Sequence, residues 1–512
     1  MNKNTRIALL MATAVGMAHA DCGNETNIKG HTFFTVRPQF QSAMPEKESF
    51  FRNNRMEMRE DGWGSAFQAV VFGGKSVKSR DLAAYFLPSC ASSSCLNVME
   101  FDEFLSPLIS QDNNPDKDVE ARNFNIDSID GTFASKVCFC PKQSVIGVGL
   151  DWKQAFCRRE NGCVTYWGEI SFPIVRVENT MGLTEDVTNE GGGPDTTAVG
   201  LDGAPRVANM TDAFRQSTWK YGKINSNCKM TKTRIADIEL KVGWDSCSMD
   251  CCHLEGYLGL VIPTGNRPKG EFVFEPIVGN NRHFGFMYGS NLGFDLWNCD
   301  DHKIVLEVDW NGRWLFRNHQ TRSFDLCDKS WGRYQAVYAT VEDAQAAFDT
   351  GNPDSGTSGI NIFTHCVKVS PRFANTFNTA FVYTHCSFMA ELGWNFYARQ
   401  AEKVELDCWA STAQVKDISG AGLTNTAATI RNNYPASGIP VTEFQALALS
   451  DLDLNSAAHP AVLSHIIYGA VGYNWDDRCY PTFLGLGASY EFSHVNTALT
   501  RWTLWGKAGI SF

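Results

Sequence analysis

Along much of the chain, apolar and polar residues alternate one for one. In residues 144–156, Ile146, Val148, Leu150 and Trp152 face one way while Asp151 and Lys153 face the other. In residues 233–245, Ala236, Ile238, Leu240, Val242 and Trp244 oppose Asp237, Glu239 and Lys241. A period of two marks a strand with two unlike faces. The same alternation predicts strands at 253–262, 283–297, 303–313, 387–398, 463–475, 482–492 and 499–512. Weaker versions stand at 31–40, 62–73, 131–141, 166–176, 360–371 and 374–384. Most clear runs last roughly ten to fourteen residues, where a soluble strand averages about five or six and a tilted membrane strand needs about nine to eleven.

Composition bears on where such strands live. The 512 residues are 43% apolar and 12% aromatic, with 43 glycines. No window approaches the roughly eighteen consecutive apolar residues of a spanning helix. A mean hydropathy of -0.24 is still compatible with a chain in lipid, because barrel strands dilute their apolar face with a polar one. A hydrophobe-x-Trp-polar string recurs from Leu150, Val242, Val308, Leu392 and Tyr473. Tryptophan favours the boundary between hydrocarbon and headgroups, so the recurrence predicts a girdle at strand ends.

The amino terminus has a basic start at Lys3 and Arg6, an apolar run from Ile7 to Ala18, and Ala-His-Ala at 18–20. This is the pattern of a cleaved signal peptide over residues 1–20, leaving 21–512 as a single domain. A formal net charge of -11 argues against nucleic acid as a partner. The 17 cysteines suit an oxidising envelope, and those at Cys90 and Cys95, Cys157 and Cys163, and Cys247, Cys251 and Cys252 fall where strands turn or end. Loop staples are the first expectation and disulfide-linked self-association the second. No second Cys-x-x-Cys pair joins Cys247, Cys251, Cys252 and His253, so no metal and no cofactor is expected.

The last strand, with Trp502, Leu504, Ile510 and the terminal Phe512 on one face, resembles the terminal strand of outer-membrane β-barrel proteins. In that class it is the assembly signal, which implies barrel-assembly machinery and outer-membrane lipid as partners. The chain as a whole resembles porin-like barrels and cysteine-rich, uncharacterised barrel proteins of intracellular bacteria. The expected fold is an all-β transmembrane antiparallel β-barrel of roughly twelve to sixteen strands, with about fourteen the best value, and long extracellular loops carrying short helices. Helices are expected at 209–219 and 340–348. Ending Phe512 at the periplasmic rim puts 399–462 and 177–232 outside, but leaves 340–359 and 89–130 as awkwardly long periplasmic segments.

Alternation then assigns Asp237, Glu239, Lys241, His253, Glu255, Glu307, Asp309 and Glu391 to the lumen. The expected function is passive diffusion of small solutes through a porin-like channel with cation preference, or a structural envelope role. On that reading Leu240→Arg costs about 2 to 4 kcal/mol while Glu239→Gln leaves folding nearly unchanged. A surface coat or adhesin with a closed pore is one alternative. A lipid hydrolase is the other: Asn318–Ser323 with Ser330–Tyr334 is similar to the active-site segment of outer-membrane phospholipase A, whose His and Ser lie two apart on one strand, with an Asn on the next. Here Thr321 replaces the serine after His319 and Gly332 the asparagine, which compromises two of three roles, so no enzyme activity is expected.

Overall fold

The computed structural model describes residues 27–52, 63–88, 91, 94–100, 118–158, 164–197, 199–225, 228–249, 252–299, 301–327, 329–338, 343, 356–406, 422–424, 444–446, 449–477 and 479–512. Twelve strands form one closed antiparallel barrel. In chain order they are β1 (Gly64–Ser76), β2 (Lys142–Arg158), β3 (Val164–Thr180), β4 (Ile238–Met249), β5 (Cys252–Ile262) and β6 (Gly285–Cys299). There follow β7 (His302–Leu315), β8 (Arg372–His385), β9 (Phe388–Arg399), β10 (Val462–Trp475), β11 (Thr482–Phe492) and β12 (Arg501–Ser511). Each pairs with its neighbour in sequence, and β12 returns to β1 with Ala66 opposite Ser511 and Ser76 opposite Arg501. The backbone amides of Ser65 and Phe512 each donate to the other's carbonyl, at 2.7 and 2.9 Å, and finish the seam.

The two faces separate as the alternation requires. Val242 is 62% exposed while Glu239 and Lys241 are buried, and Ile146 and Trp152 are exposed while Asp151 and Lys153 are buried. A closed sheet that turns its apolar side chains outward and its charges inward is an inside-out arrangement suited to lipid. In β12 Trp502 and Leu504 are exposed, as is Phe512 just after it, Ile510 shares their half of the alternation, and Thr503, Lys507 and Ser511 are buried.

All twelve barrel strands coincide with alternating runs, yet three of the fifteen runs lie elsewhere, so the count is twelve and not fourteen. Residues 31–40 form no strand. The run at 131–141 yields Ala134–Cys138 in a separate four-stranded sheet, and 360–371 yields Thr364–Ser370 between Asn318–Ser323 and Lys403–Leu406. Both small sheets pack a face on a core outside the barrel, through Val137, Val367 and Val369. Period two identifies a strand, not the sheet it joins.

Removing those strands from the wall resolves the topology. Five joins, 159–163, 250–251, 300–301, 386–387 and 476–481, all lie at one end and none exceeds six residues. The joins 77–141, 181–237, 263–284, 316–371, 400–461 and 493–500 all lie at the other end. The segments 340–359 and 89–130 therefore belong with the long loops. The tryptophan strings fall on strands of both directions: Trp152, Trp244 and Trp475 lie on strands that run toward the turns, Trp475 at its strand's end, whereas Trp310 and Trp394 sit on strands running away from them.

The long loops fold into a cap with its own core, where Phe34, Tyr85, Phe86, Phe124, Phe214, Trp219, Trp331 and Tyr334 are buried together. The predicted helix after Asn209 is short, Met210–Ala213, and the Asn209 side chain accepts from the Asp212 amide at 2.9 Å. Cys95 and Cys138 are joined across two cap strands, a loop staple. The signal peptide, Cys22, Cys90, Cys163, Cys251 and nearly all of 340–348 lie outside the described residues.

Candidate functional site

The inward face of the barrel is not bare. Residues 37–52 run inside it and touch most of its wall. Lys47, on the short helix Pro45–Glu48, places its Nζ 3.3 Å from Asp151 Oδ1, 3.1 Å from Glu169 Oε1 and 3.2 Å from Glu239 Oε2, on β2, β3 and β4. Arg52 donates to both Glu391 carboxylate oxygens at 3.2 and 3.0 Å and lies 3.4 Å from Asp309 Oδ2 and 3.9 Å from Glu307 Oε2. Arg37 donates to Asn395 Oδ1 at 3.0 Å, with Glu491 3.8 Å away. The wall answers with donors of its own: Lys507 donates to the carbonyls of Lys47 and Ser49, Gln68 to that of Lys47, and Asn395 to that of Ala43.

Charge balance gives the reason for this docking. Among the described residues the inner wall carries eight buried carboxylates, Asp151, Glu169, Glu239, Glu255, Glu307, Asp309, Glu391 and Glu491. Against them stand six buried cations of the wall, Lys153, Lys241, Arg313, Arg399, Arg501 and Lys507. Unpaired charges in a water-poor interior are costly, and the plug supplies Arg37, Lys47 and Arg52 where the wall is short of cations. The plug's own Glu46 and Glu48 accept from its Phe40 and Ala43 amides and so hold its turns.

Shape matches as well as charge. The Phe40 ring lies where a Cβ on Gly149 would come within 2.3 Å of it, and Phe50 covers Gly472 and Gly485, which sit opposite each other on β10 and β11. These wall glycines are seats for plug aromatics. Gly149→Val is expected to displace Phe40 and loosen the plug while leaving the outward pattern of β2 intact. Faster protease cleavage within residues 40–52 of the folded barrel would register this, and unchanged cleavage would count against it.

Before entering the barrel the chain is latched to the cap. Gly30, His31 and Thr32 donate their amides to the carbonyls of Leu87, Tyr85 and Ser456 at 2.9, 3.0 and 2.9 Å. The Arg322 guanidinium lies over the Phe33 ring, and Thr35 donates to Glu402 at 2.9 Å. Burial would raise the Glu402 carboxyl, but Arg322 and Arg399 outweigh it and hold it at about 2. Plug and cap are thus one connected body.

The eight residues assigned to the lumen by alternation divide on inspection. Glu239, Lys241, Glu307, Asp309 and Glu391 belong to the plug network, with Lys241 donating to Glu169 at 2.9 Å. Asp237 instead accepts from the Asn280 amide and side chain, fastening the loop 263–284. His253 lies 2.6 Å from Asn291 Oδ1, and Glu255 is buried nearer the turns. Glu239→Gln is instead expected to cost stability, since Glu239 accepts from Ser42 and Arg313 besides Lys47. The plug cations Arg37, Lys47 and Arg52 escaped the sequence reading, and Asp151, though placed on the polar face, was not assigned to the lumen.

The segment similar to a phospholipase is placed differently from its model. Asn318–Ser323 is a cap strand, with His319 opposite Lys368 and Thr321 opposite Cys366. Gly332 lies in the turn Gly332–Tyr334 against Leu326, not on the neighbouring strand. Among the described residues no group of three His, Cys, Asp or Glu side chains is placed to hold a metal ion.

No protein-family model matches the chain, and no curated protein does. Among solved structures it is similar to an outer membrane channel from Pseudomonas putida F1, at 8% identity over 90% of this chain and 99% of that one, with a TM-score of 0.39. It is also similar to a Pseudomonas aeruginosa FadL homologue, at 8% identity, 88% and 90% coverage and a TM-score of 0.28. The Pseudomonas putida toluene transporter TodX is similar at 7% identity, 95% and 96% coverage and a TM-score of 0.28.

Proposed function

We propose that this protein is an outer-membrane channel held closed by its own amino-terminal segment, with the short turns in the periplasm and the cap outside. The observation that carries the reading is Lys47, bound by carboxylates from three successive strands in the middle of the barrel. Free carboxylates would make an open cation-preferring pore, but here they are neutralised by the plug. Withdrawing the plug would restore that acidic lining, so the transported class is small solutes passing by diffusion, cations preferred, only in the open state. Liposome swelling tests it: parent protein should scarcely admit small sugars, and the Lys47→Ala/Arg52→Ala variant should admit them readily. Equal rates would remove the gate from the account.

A structural coat is supported by a separate observation. Cys157, at the end of β2, and Cys386 and Cys479, on two of the turns, are exposed free thiols at one rim, where neighbouring copies in a membrane would present theirs at the same end. Disulfide-linked ladders on non-reducing gels, lost when these three are replaced by serine, would favour it; monomers alone would not.

Assembly should depend on the seam. Deleting Phe512 removes the hydrogen-bond pair with Ser65 and the exposed aromatic end of β12, and is expected to reduce insertion of heat-modifiable barrel sharply. Undiminished insertion would contradict that role for the terminal strand.

A further inference from the structure

One stretch of the outer wall departs from the apolar pattern, at the cap end of β1, β2, β3 and the adjoining segment Met230–Ile235. There Lys75, Lys142, Arg176 and Lys229 are all exposed, on a chain whose net charge is -11. The register brings them together: Lys75 lies opposite Ser144, Ser144 opposite Glu178, and Lys142 opposite Thr180 on the next row. Lys229 donates to Glu178 at 2.6 Å, and Arg176 is 3.7 Å from the same carboxylate. A cleft opens between Lys75, Lys142, Ser144, Glu178 and Lys229. Lys229 and Arg176 thus pair with the one carboxylate, while Lys75 and Lys142 line the same cleft and leave the cluster with a net positive charge.

What lies beneath decides what this cluster fits. Val71, Val148, Ile174 and Ile235 are opposite one another in register and all exposed, forming an apolar row across the same four strands. Lys75 is four residues from Val71 along β1, about 13 Å at the usual strand rise. A ligand suited to both must carry negative groups above and hydrocarbon directly below. We propose that this surface binds the phosphate groups of an anionic glycolipid in the outer leaflet, with its acyl chains against the apolar row. Phosphate accepts from several ammonium groups at once, and the low dielectric of the lipid boundary strengthens those contacts. A soluble acidic protein would have no use for the apolar row.

The inference rests on the membrane orientation proposed above, and its test separates the two. Full-length protein in detergent is titrated with bisphosphorylated lipid A, and binding is read by native mass spectrometry for the parent and for a Lys75→Gln/Lys142→Gln/Lys229→Gln variant. Both proteins are first shown to form the heat-modifiable barrel. The variant is expected to bind about tenfold more weakly, the sum of three modest exposed charge contacts, and dephosphorylated lipid A should bind the parent with a similar loss. Equal binding by the two proteins overturns the site, and so does complete displacement by an equal concentration of inorganic phosphate. An epitope inserted at Gly192, in the cap, reports orientation independently. Antibody access on intact cells supports the outer leaflet, whereas access only after lysis overturns the orientation while leaving the binding result to stand on its own.

Discussion

Arg52→Ala is expected to destabilise the closed barrel by about 3 to 5 kcal/mol, the usual cost of removing one partner from a buried ion cluster. Glu307, Asp309 and Glu391 would be left facing one another without their shared guanidinium. Their repulsion has one ready outlet, withdrawal of the plug and entry of water. A loss of that size shifts the closed-to-open ratio by a hundredfold or more, at about 1.4 kcal/mol per factor of ten. Arg52→Lys keeps a charge but not the fork that spans Glu391 and Asp309, and should fall between the two. Denaturant titration of the folded barrel, combined with protease sensitivity of residues 40–52, reads both outlets. Parent-like behaviour in both would mean that the cluster is not what holds the plug.

Leu392→Arg should be the most damaging change on the outer surface. Leu392 is 63% exposed at the middle of β9, beside the exposed Trp394, and so faces the hydrocarbon core if the barrel spans a bilayer. An arginine there costs about 2 to 4 kcal/mol near the midplane. Equilibrium folding into lipid vesicles measures it. In a water-soluble barrel the same change would be harmless or helpful, so the sign of the effect distinguishes the two environments. Leu240→Arg on β4 should behave in the same direction.

The wall was legible in the sequence because its rule is local. Each strand of β2, β4, β5, β7 and β12 declares its two faces within a dozen residues, and the run at 482–492 matches β11 end for end. The plug was not legible because its rule is distant. Gln39-Phe40-Gln41-Ser42-Ala43-Met44-Pro45-Glu46-Lys47 has no repeating period, and Arg52 is 339 residues from Glu391. Charges on an inward face look the same whether they meet water or a counter-ion. What the sequence did contain, unread, were inward-facing glycines such as Gly149 and Gly485, set among strands where a larger residue would ordinarily fill the lumen. A glycine at such a position leaves room for something that arrives from elsewhere in the chain. The cap misled for another reason: Ala134–Cys138 and Thr364–Ser370 alternate as wall strands do, because a small sheet over a core also needs one buried face.

The claim that residues 40–52 close the lumen is tested most directly by conductance in a planar bilayer, comparing the parent with a chain in which this segment is replaced by a glycine-serine stretch of equal length. The parent should be silent, and the replacement should conduct with a reversal potential of the sign for cations, from carboxylates no longer paired to Lys47 and Arg52. A parent that conducts as well as the replacement would contradict the account.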